Sequence, residues 1–127
     1  MTKLSKEQIL MLHSMAIKQS GGLDGVRDNG LLDMALHAPF QTFESTELYP
    51  SIQSKAARLC FSIIGNHPFI DGNKRIGILA MLVFLDVNQV ELNCSNQEII
   101  ELGLGVASGK YNTDFIMDWI IAHSGDR

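Results

Sequence analysis

The ten residues from Ile76 to Leu85 carry neither a charge nor a hydrogen-bonding side chain. A bilayer span needs roughly 18 to 20 apolar residues, so this run is too short to cross a membrane. Wound at the helical period it is apolar on every side, and such a helix must be enclosed by other helices. It therefore predicts a central buried helix, from about Asn73 to Asn88, with the rest of the chain packed around it. The stretch just before it has the opposite character. His67-Pro68-Phe69-Ile70-Asp71-Gly72-Asn73-Lys74-Arg75 gathers a base, a carboxylate, an amide and two cations. Pro68 disfavours helix at His67 and Gly72 permits a left-handed backbone, so these residues form a loop that stops where Asn73 opens the helix.

Lys74 and Arg75 then fall in the first helical turn, where the helix dipole favours negative charge by about 0.3–1 kcal/mol. A sequence shaped by stability alone avoids that placement. It makes sense if an anion is expected, because first-turn N–H groups, the Asn73 amide and two side-chain cations would converge on phosphate oxygens. Asp71, a hard oxygen ligand, could hold the magnesium that accompanies such a phosphate.

Helical spacing accounts for most of the remaining chain. Ser5-Lys6-Glu7-Gln8 is a capping box, and Ile9, Leu12, Met15 and Ala16 follow, so a first helix runs from about Ser5 to Gln19 and ends at Gly21-Gly22. His13 lies beside that stripe with nothing near it at metal-ligand spacing. The segment Gly21 to Asn29 holds three glycines among Asp24, Arg27, Asp28 and Asn29, which reads as a hairpin or ordered loop. Its residues leave open a solvent-exposed connector or a flap beside the site, and Arg27 and Asp28 could pair with each other or with the next helix. Leu31, Leu32, Ala35 and Leu36 mark a second helix that Pro39 terminates, with His37 capping its last turn. Phe40, Phe43 and Tyr49 are expected to pin an irregular segment to the core.

Ser51 caps a third helix with Ile52, Ala56, Leu59, Cys60, Ile63 and Ile64 inward and Lys55 and Arg58 outward. A second capping box, Ser95-Asn96-Gln97-Glu98, opens a fifth helix with Ile99, Leu102 and Val106 inward, ended by Gly109. Thr113 is expected to cap a last helix that buries Phe115, Ile116, Trp119 and Ile120. With 127 residues this is one domain, all-α, of about six helices. A net charge of −4 with scattered cations gives no footprint for direct nucleic-acid binding. Cys60 and Cys94 supply neither a disulfide framework nor a zinc pattern, and the N-terminus has no apolar signal region, so a cytoplasmic protein with reduced thiols is expected.

His-Pro-Phe-x-Asp-Gly-Asn-Lys-Arg resembles the signature loop of the Fic/Doc superfamily, and Lys74 makes it similar to the Doc branch of toxins. The general Fic loop has a second glycine where Lys74 stands and an arginine where Ile78 stands; both departures agree with the Doc branch. Gly21-Gly22-Leu23-Asp24-Gly25-Val26-Arg27-Asp28, Leu48-Tyr49-Pro50 and Leu104-Gly105-Val106-Ala107-Ser108-Gly109 resemble further Doc-family segments, so the likeness covers nearly the whole chain. The resemblance implies a compact Fic/Doc-type helical bundle that moves the terminal phosphate of ATP onto a Ser or Thr hydroxyl of elongation factor Tu and so arrests translation. His67 would then be the general base, Asp71 the Mg2+ ligand, and Gly72, Asn73, Lys74 and Arg75 the phosphate ligands. Gly22, Leu23, Asp24 and Gly25 would be the flap that aligns the target by strand-like pairing. A cognate Phd-like antitoxin would block the site with its C-terminal segment. Two alternatives stand beside this: Fic-type transfer of AMP, weakened by Lys74 and Ile78, and a non-catalytic partner-binding or co-repressor module.

Overall fold

The computed structural model describes residues 1–125. Helix α1 (Lys6–Ser20) starts at the capping box, where the Ser5 hydroxyl accepts from the Gln8 N–H and the Gln8 side chain accepts from the Ser5 N–H. Its buried stripe is Ile9, His13 and Ile17, while Met15 is exposed. The stripe is thus rotated from the expected Leu12 and Met15 face, because the flat ring of His13 stacks on Phe69 with centroids 3.9 Å apart. Helix α2 (Asn29–His37) is capped by Asp28, whose carboxylate accepts from the Leu31 N–H, and Pro39 lies in the 3-10 turn Ala38–Phe40 that follows.

The segment expected to be irregular is a small antiparallel hairpin, β1 (Thr42–Phe43) with β2 (Thr46–Glu47). Glu44 and Ser45 both take positive φ, 49° and 66°, the two-residue turn whose twist suits a hairpin. Phe43 does not pin this segment and is exposed; Phe40 does, meeting Phe84 edge-on at 6.4 Å. The second anchor is Lys55. Expected to face outward, it is 1% exposed, and its ammonium donates to Glu47 Oε1 at 2.8 Å and to the Tyr49 carbonyl. Its hydrocarbon stem crosses apolar surface while both acceptors, six and eight residues upstream, come to meet the charge.

Helix α3 (Ile52–Asn66), which carries Lys55, packs against α2, the 3-10 turn and the remaining helices α4 (Asn73–Val87), α5 (Asn96–Ala107) and α6 (Thr113–His123). It shares its largest interface with α4, the central helix, none of whose residues from Ile76 to Leu85 is exposed. Gly77 lets the two helices approach closely: a Cβ there would come within 2.6 Å of Ile64 Cγ1 and 3.3 Å of the Cys60 carbonyl. Cys60 is buried in the same contact, and burial pushes its thiol up to about 12, which leaves it an inert small hydrophobe. No described helix is long and apolar enough to cross a membrane.

Helix α5 keeps the expected capping box and inward Leu102 and Val106. Helix α6 is capped one residue earlier than expected, by Asn112, whose side chain accepts from the Phe115 N–H. Ile116 and Ile120 reach the core, but Phe115 stays 41% exposed and stacks on Tyr111. His123 joins α6 to α5: Nδ1 faces the Trp119 carbonyl at 2.7 Å and Nε2 faces Glu98 Oε2 at 3.0 Å. Both ring nitrogens meet acceptors, so the imidazolium is the form that satisfies both.

The Trp119 carbonyl, and then Glu98, hold the His123 imidazole above its ordinary range. The Ser95 N–H, and then His123, hold the Glu98 carboxyl below its own. The histidine's contribution to stability is therefore full below the ordinary imidazole range and is lost as pH rises through its raised value. That of Glu98 is full above the ordinary carboxylate range and is lost as pH falls through its lowered value. Thermal melting should show its highest Tm between those two ranges, and His123→Gln should remove the decline on the alkaline side. An unchanged alkaline decline in that variant would place its origin elsewhere.

Candidate active site

The loop between α3 and α4 is tied at every residue. His67 ends α3 in the left-handed region, φ 49° and ψ 53°, a conformation that costs a non-glycine residue about 1–2 kcal/mol. Arg27 holds it there: Nε donates to the His67 carbonyl at 2.7 Å and Nη2 to the Asn66 carbonyl at 3.0 Å. The main-chain N–H groups of Arg27 and Asp28 both donate to the Pro68 carbonyl, and the Ile70 N–H donates to the Gly25 carbonyl. Val26 and Phe69 form an antiparallel bridge. The Gly21 to Asn29 segment is thus laid along the loop and tied to it through its own backbone, while Gly21 to Asp24 stay exposed.

Asn73 closes the loop from the other side. Its Oδ1 accepts from the Phe69 N–H at 2.9 Å and its Nδ2 donates to the Phe69 carbonyl at 3.0 Å, with the residue 9% exposed. Asn73, the amide expected at phosphate, lines the cleft with its Oδ1 and one of its two N–H donors already bonded to the loop's own backbone. Gly72, at φ 74°, makes the turn into α4, which has no side-chain cap. The first-turn N–H groups of the central helix are left for a ligand.

Asp71 accepts from the Gly72 N–H through Oδ1 and from the Leu23 N–H through Oδ2. A Cβ on Gly22 would meet Asp71 Oδ2 at 2.7 Å, and Gly22 has φ 121°, so glycine is required there on both counts. Beneath the loop, His13 Nε2 lies 2.7 Å from the Asp71 carbonyl, which can only accept, so Nε2 carries the hydrogen. Its Nδ1 faces Asp24 Oδ1 at 3.4 Å. The Ser14 hydroxyl, then the Gly25 N–H and His13, hold the Asp24 carboxyl below its ordinary range against some desolvation.

The two cations are used differently. Lys74 is exposed, with its methylenes against Gly103 of α5, where a Cβ would sit 3.4 Å from its Cγ. Its ammonium makes no hydrogen bond or ion pair within the described residues. Arg75 donates through Nη1 to the Gly21 carbonyl at 2.9 Å and more weakly to the Ala16 carbonyl at 3.4 Å, which fixes the end of α1 and leaves its other donors available. His67 and residues 70–75 line a cleft of about 400 Å³. An apolar cleft of about 320 Å³, lined by Ile78, Ile99, Ile100 and Gly103, adjoins it across Lys74 and Arg75. The imidazole of His67 is exposed, with Nδ1 3.4 Å from the Gly65 carbonyl, a long contact that favours the hydrogen on Nδ1 and a lone pair on Nε2.

The structure therefore brings together His67, Asp71, Gly72, Asn73, Lys74 and Arg75 around one cleft and lays Gly22 to Gly25 beside it. Two further residues, Arg27 and His13, support the loop without any local sequence pattern that assigns them that part. The signal for the burial of His13 is present, since positions 9, 13 and 17 form a stripe at four-residue spacing. Nothing local marked Arg27, whose acceptors lie about forty residues away.

The fold and the cleft define a helical domain whose buried central helix presents an uncapped N-terminus and a histidine-bearing loop at one cleft. Residues 3–85 match the Fic/DOC family, and the chain belongs to that family. It is similar to a protein named Toxin Doc from Mycolicibacterium smegmatis, 42% identical over 89 residues that cover 70% of this chain and 66% of that protein. It is also similar to Protein kinase doc of Escherichia phage P1, 28% identical over 118 residues that cover 93% of this chain and 92% of the phage protein.

Asn73→Ala should strand the Phe69 N–H and carbonyl in a buried setting and lower the unfolding free energy by about 1–3 kcal/mol. Urea denaturation with a preserved m-value measures this. A loss below about 0.5 kcal/mol, the scatter of ordinary surface substitutions, would mean that the loop does not depend on that side chain.

Proposed function

We propose that this chain is the toxin of a toxin–antitoxin pair, a protein kinase that moves the γ-phosphoryl group of ATP to a Ser or Thr hydroxyl of a translation factor, with elongation factor Tu the first candidate. The observation that carries this reading is the unpartnered Lys74 ammonium at the uncapped N-terminus of α4, in the same cleft as His67. Phosphoryl transfer asks a protein for positioning, charge neutralisation and a proton acceptor. The helix N-terminus, Lys74 and the remaining donors of Arg75 supply the first two, and His67 Nε2 supplies the third. His67 takes the hydroxyl proton, the hydroxyl oxygen bonds to the γ-phosphorus, and the bond from that phosphorus to the β–γ bridging oxygen breaks, so ADP leaves with the electron pair.

Magnesium binds through one or two carboxylates plus phosphate oxygens and water, and the single exposed carboxylate of Asp71 beside the phosphate cleft suits that donor set. The ion would neutralise phosphate charge. A lysine rather than a glycine at position 74 crowds close approach of the backbone to an α-phosphate, which supports kinase over nucleotidyl transfer. Leu23, 66% exposed at the tip of the flap, is the side chain placed to meet an extended target segment. Met11 and Met15 on α1 and Ile100 and Leu104 on α5 are exposed on helices that both pack on α4. They suit the apolar face of an amphipathic antitoxin helix of the Phd kind.

The purified chain and its His67→Ala variant, incubated with a translation extract and either α- or γ-labelled ATP, test the reading. Label from the γ position alone, reduced in the variant by about 100-fold or more as befits a lost general base, is the expected result, and the labelled protein is the target. Label from the α position would replace the proposal with AMP transfer. ATP binding without label from either position would replace it with a binding module.

A further inference from the structure

Lys74 and Arg75 belong to two clefts at once. Besides lining the cleft of His67, they rim the apolar one of about 320 Å³ that lies between the first two turns of α4 and the first two turns of α5. Ile78 of α4 and Ile99, Ile100 and Gly103 of α5 form its walls. Ile100 is 54% exposed, so the space opens to solvent. Gly103 keeps one wall free of a side chain: a Cβ there would stand 3.3 Å from Ile78 Cγ1 and 3.4 Å from Lys74 Cγ.

A ligand whose phosphates sit at the N-terminus of α4 has the rest of its body to place, and this apolar space is the next one across the two cations. Sites for nucleotide-sized molecules begin at about 300 Å³, which this cleft matches. A base tethered to bound phosphates arrives at an effective concentration in the millimolar range, an advantage that an untethered apolar side chain of a partner lacks. The lining also decides how the base is read. Among the described residues none of the lining side chains carries a carboxylate, a hydroxyl or an amide, and the polar groups present, on Lys74 and Arg75, only donate. Guanine offers acceptors at O6 and N7 that such donors satisfy, whereas the N6 amino group of adenine is itself a donor. No lining side chain accepts from it.

We propose that this cleft is the base subsite of the site beside His67, that it holds a purine by apolar contact, and that it does not select adenine. A guanine nucleotide binds at least as tightly as an adenine one. The inference rests on the phosphate reading of the neighbouring cleft and deepens it. Ile100 also lies on the face offered to the antitoxin helix, so a seated helix and a seated base exclude each other.

Calorimetric titration of the purified chain, with magnesium present, against inorganic tripolyphosphate, ATP, GTP and CTP tests it. Tripolyphosphate should bind, ATP about tenfold tighter, GTP at least as tightly as ATP, and CTP, with its smaller ring, more weakly than either purine nucleotide. Gly103→Leu, which sets a side chain in the cleft, should bring ATP and GTP down to the affinity of tripolyphosphate and leave that affinity unchanged. Ile100→Ser, a change at an exposed position, should weaken both purine nucleotides about threefold and keeps the test if Gly103→Leu does not fold. ATP no tighter than tripolyphosphate would overturn the subsite with the phosphate site still standing, and would leave the cleft to an apolar side chain of a protein partner. A preference for ATP over GTP of more than about threefold would overturn the lack of selection. Failure of tripolyphosphate and both purine nucleotides to bind would remove the phosphate reading, and this proposal with it.

Discussion

The pair of hydrogen bonds between the Asn73 side chain and the Phe69 backbone is the contact on which the site depends. A short loop that joins two buried helices has too few residues to form its own core, so its backbone groups need partners brought to them. Asn73 fills that need from within the first turn of α4. The loop and the helix N-terminus become one rigid unit, and the direction of the first-turn N–H groups is then fixed by the packing of α4 on α3.

That unit is completed by residues distant in sequence. Arg27 secures the left-handed end of α3 by taking the two carbonyls that the reversal at His67 leaves unpaired. His13 supports the loop from below at the Asp71 carbonyl, and Asp71 in turn receives the flap through the Leu23 N–H. Three segments thus converge on a few main-chain atoms. The price of the arrangement is two cations at the positive end of a helix dipole, and a ligand with the opposite charge would reverse that penalty.

Polar residues inside the fold are where the reading from sequence went astray. Lys55 and Arg58 fall at positions of α3 that a helical projection sends to solvent, yet one is buried under a hairpin and the other faces a cleft between two helix ends. Long side chains with apolar stems can be covered without leaving the surface in a projection. His13 has nothing near it in sequence at metal-ligand spacing, and its spacing with Ile9 and Ile17 puts it on the inner face of α1.

The sequence by itself determined the helices and the place of the candidate site. Capping residues at Ser5, Ser51 and Ser95, the apolar stripes and the run Ile76–Leu85 are local signals, since backbone N–H groups find those caps within three residues. The concentration of His67, Asp71, Lys74 and Arg75 in nine residues is equally local. Tertiary structure alone decided which of those side chains remain free. Asn73 and part of Arg75 are spent on backbone carbonyls and Lys74 is not, because an exposed polar group and a committed one have the same sequence and differ only in what the fold brings within about 3 Å.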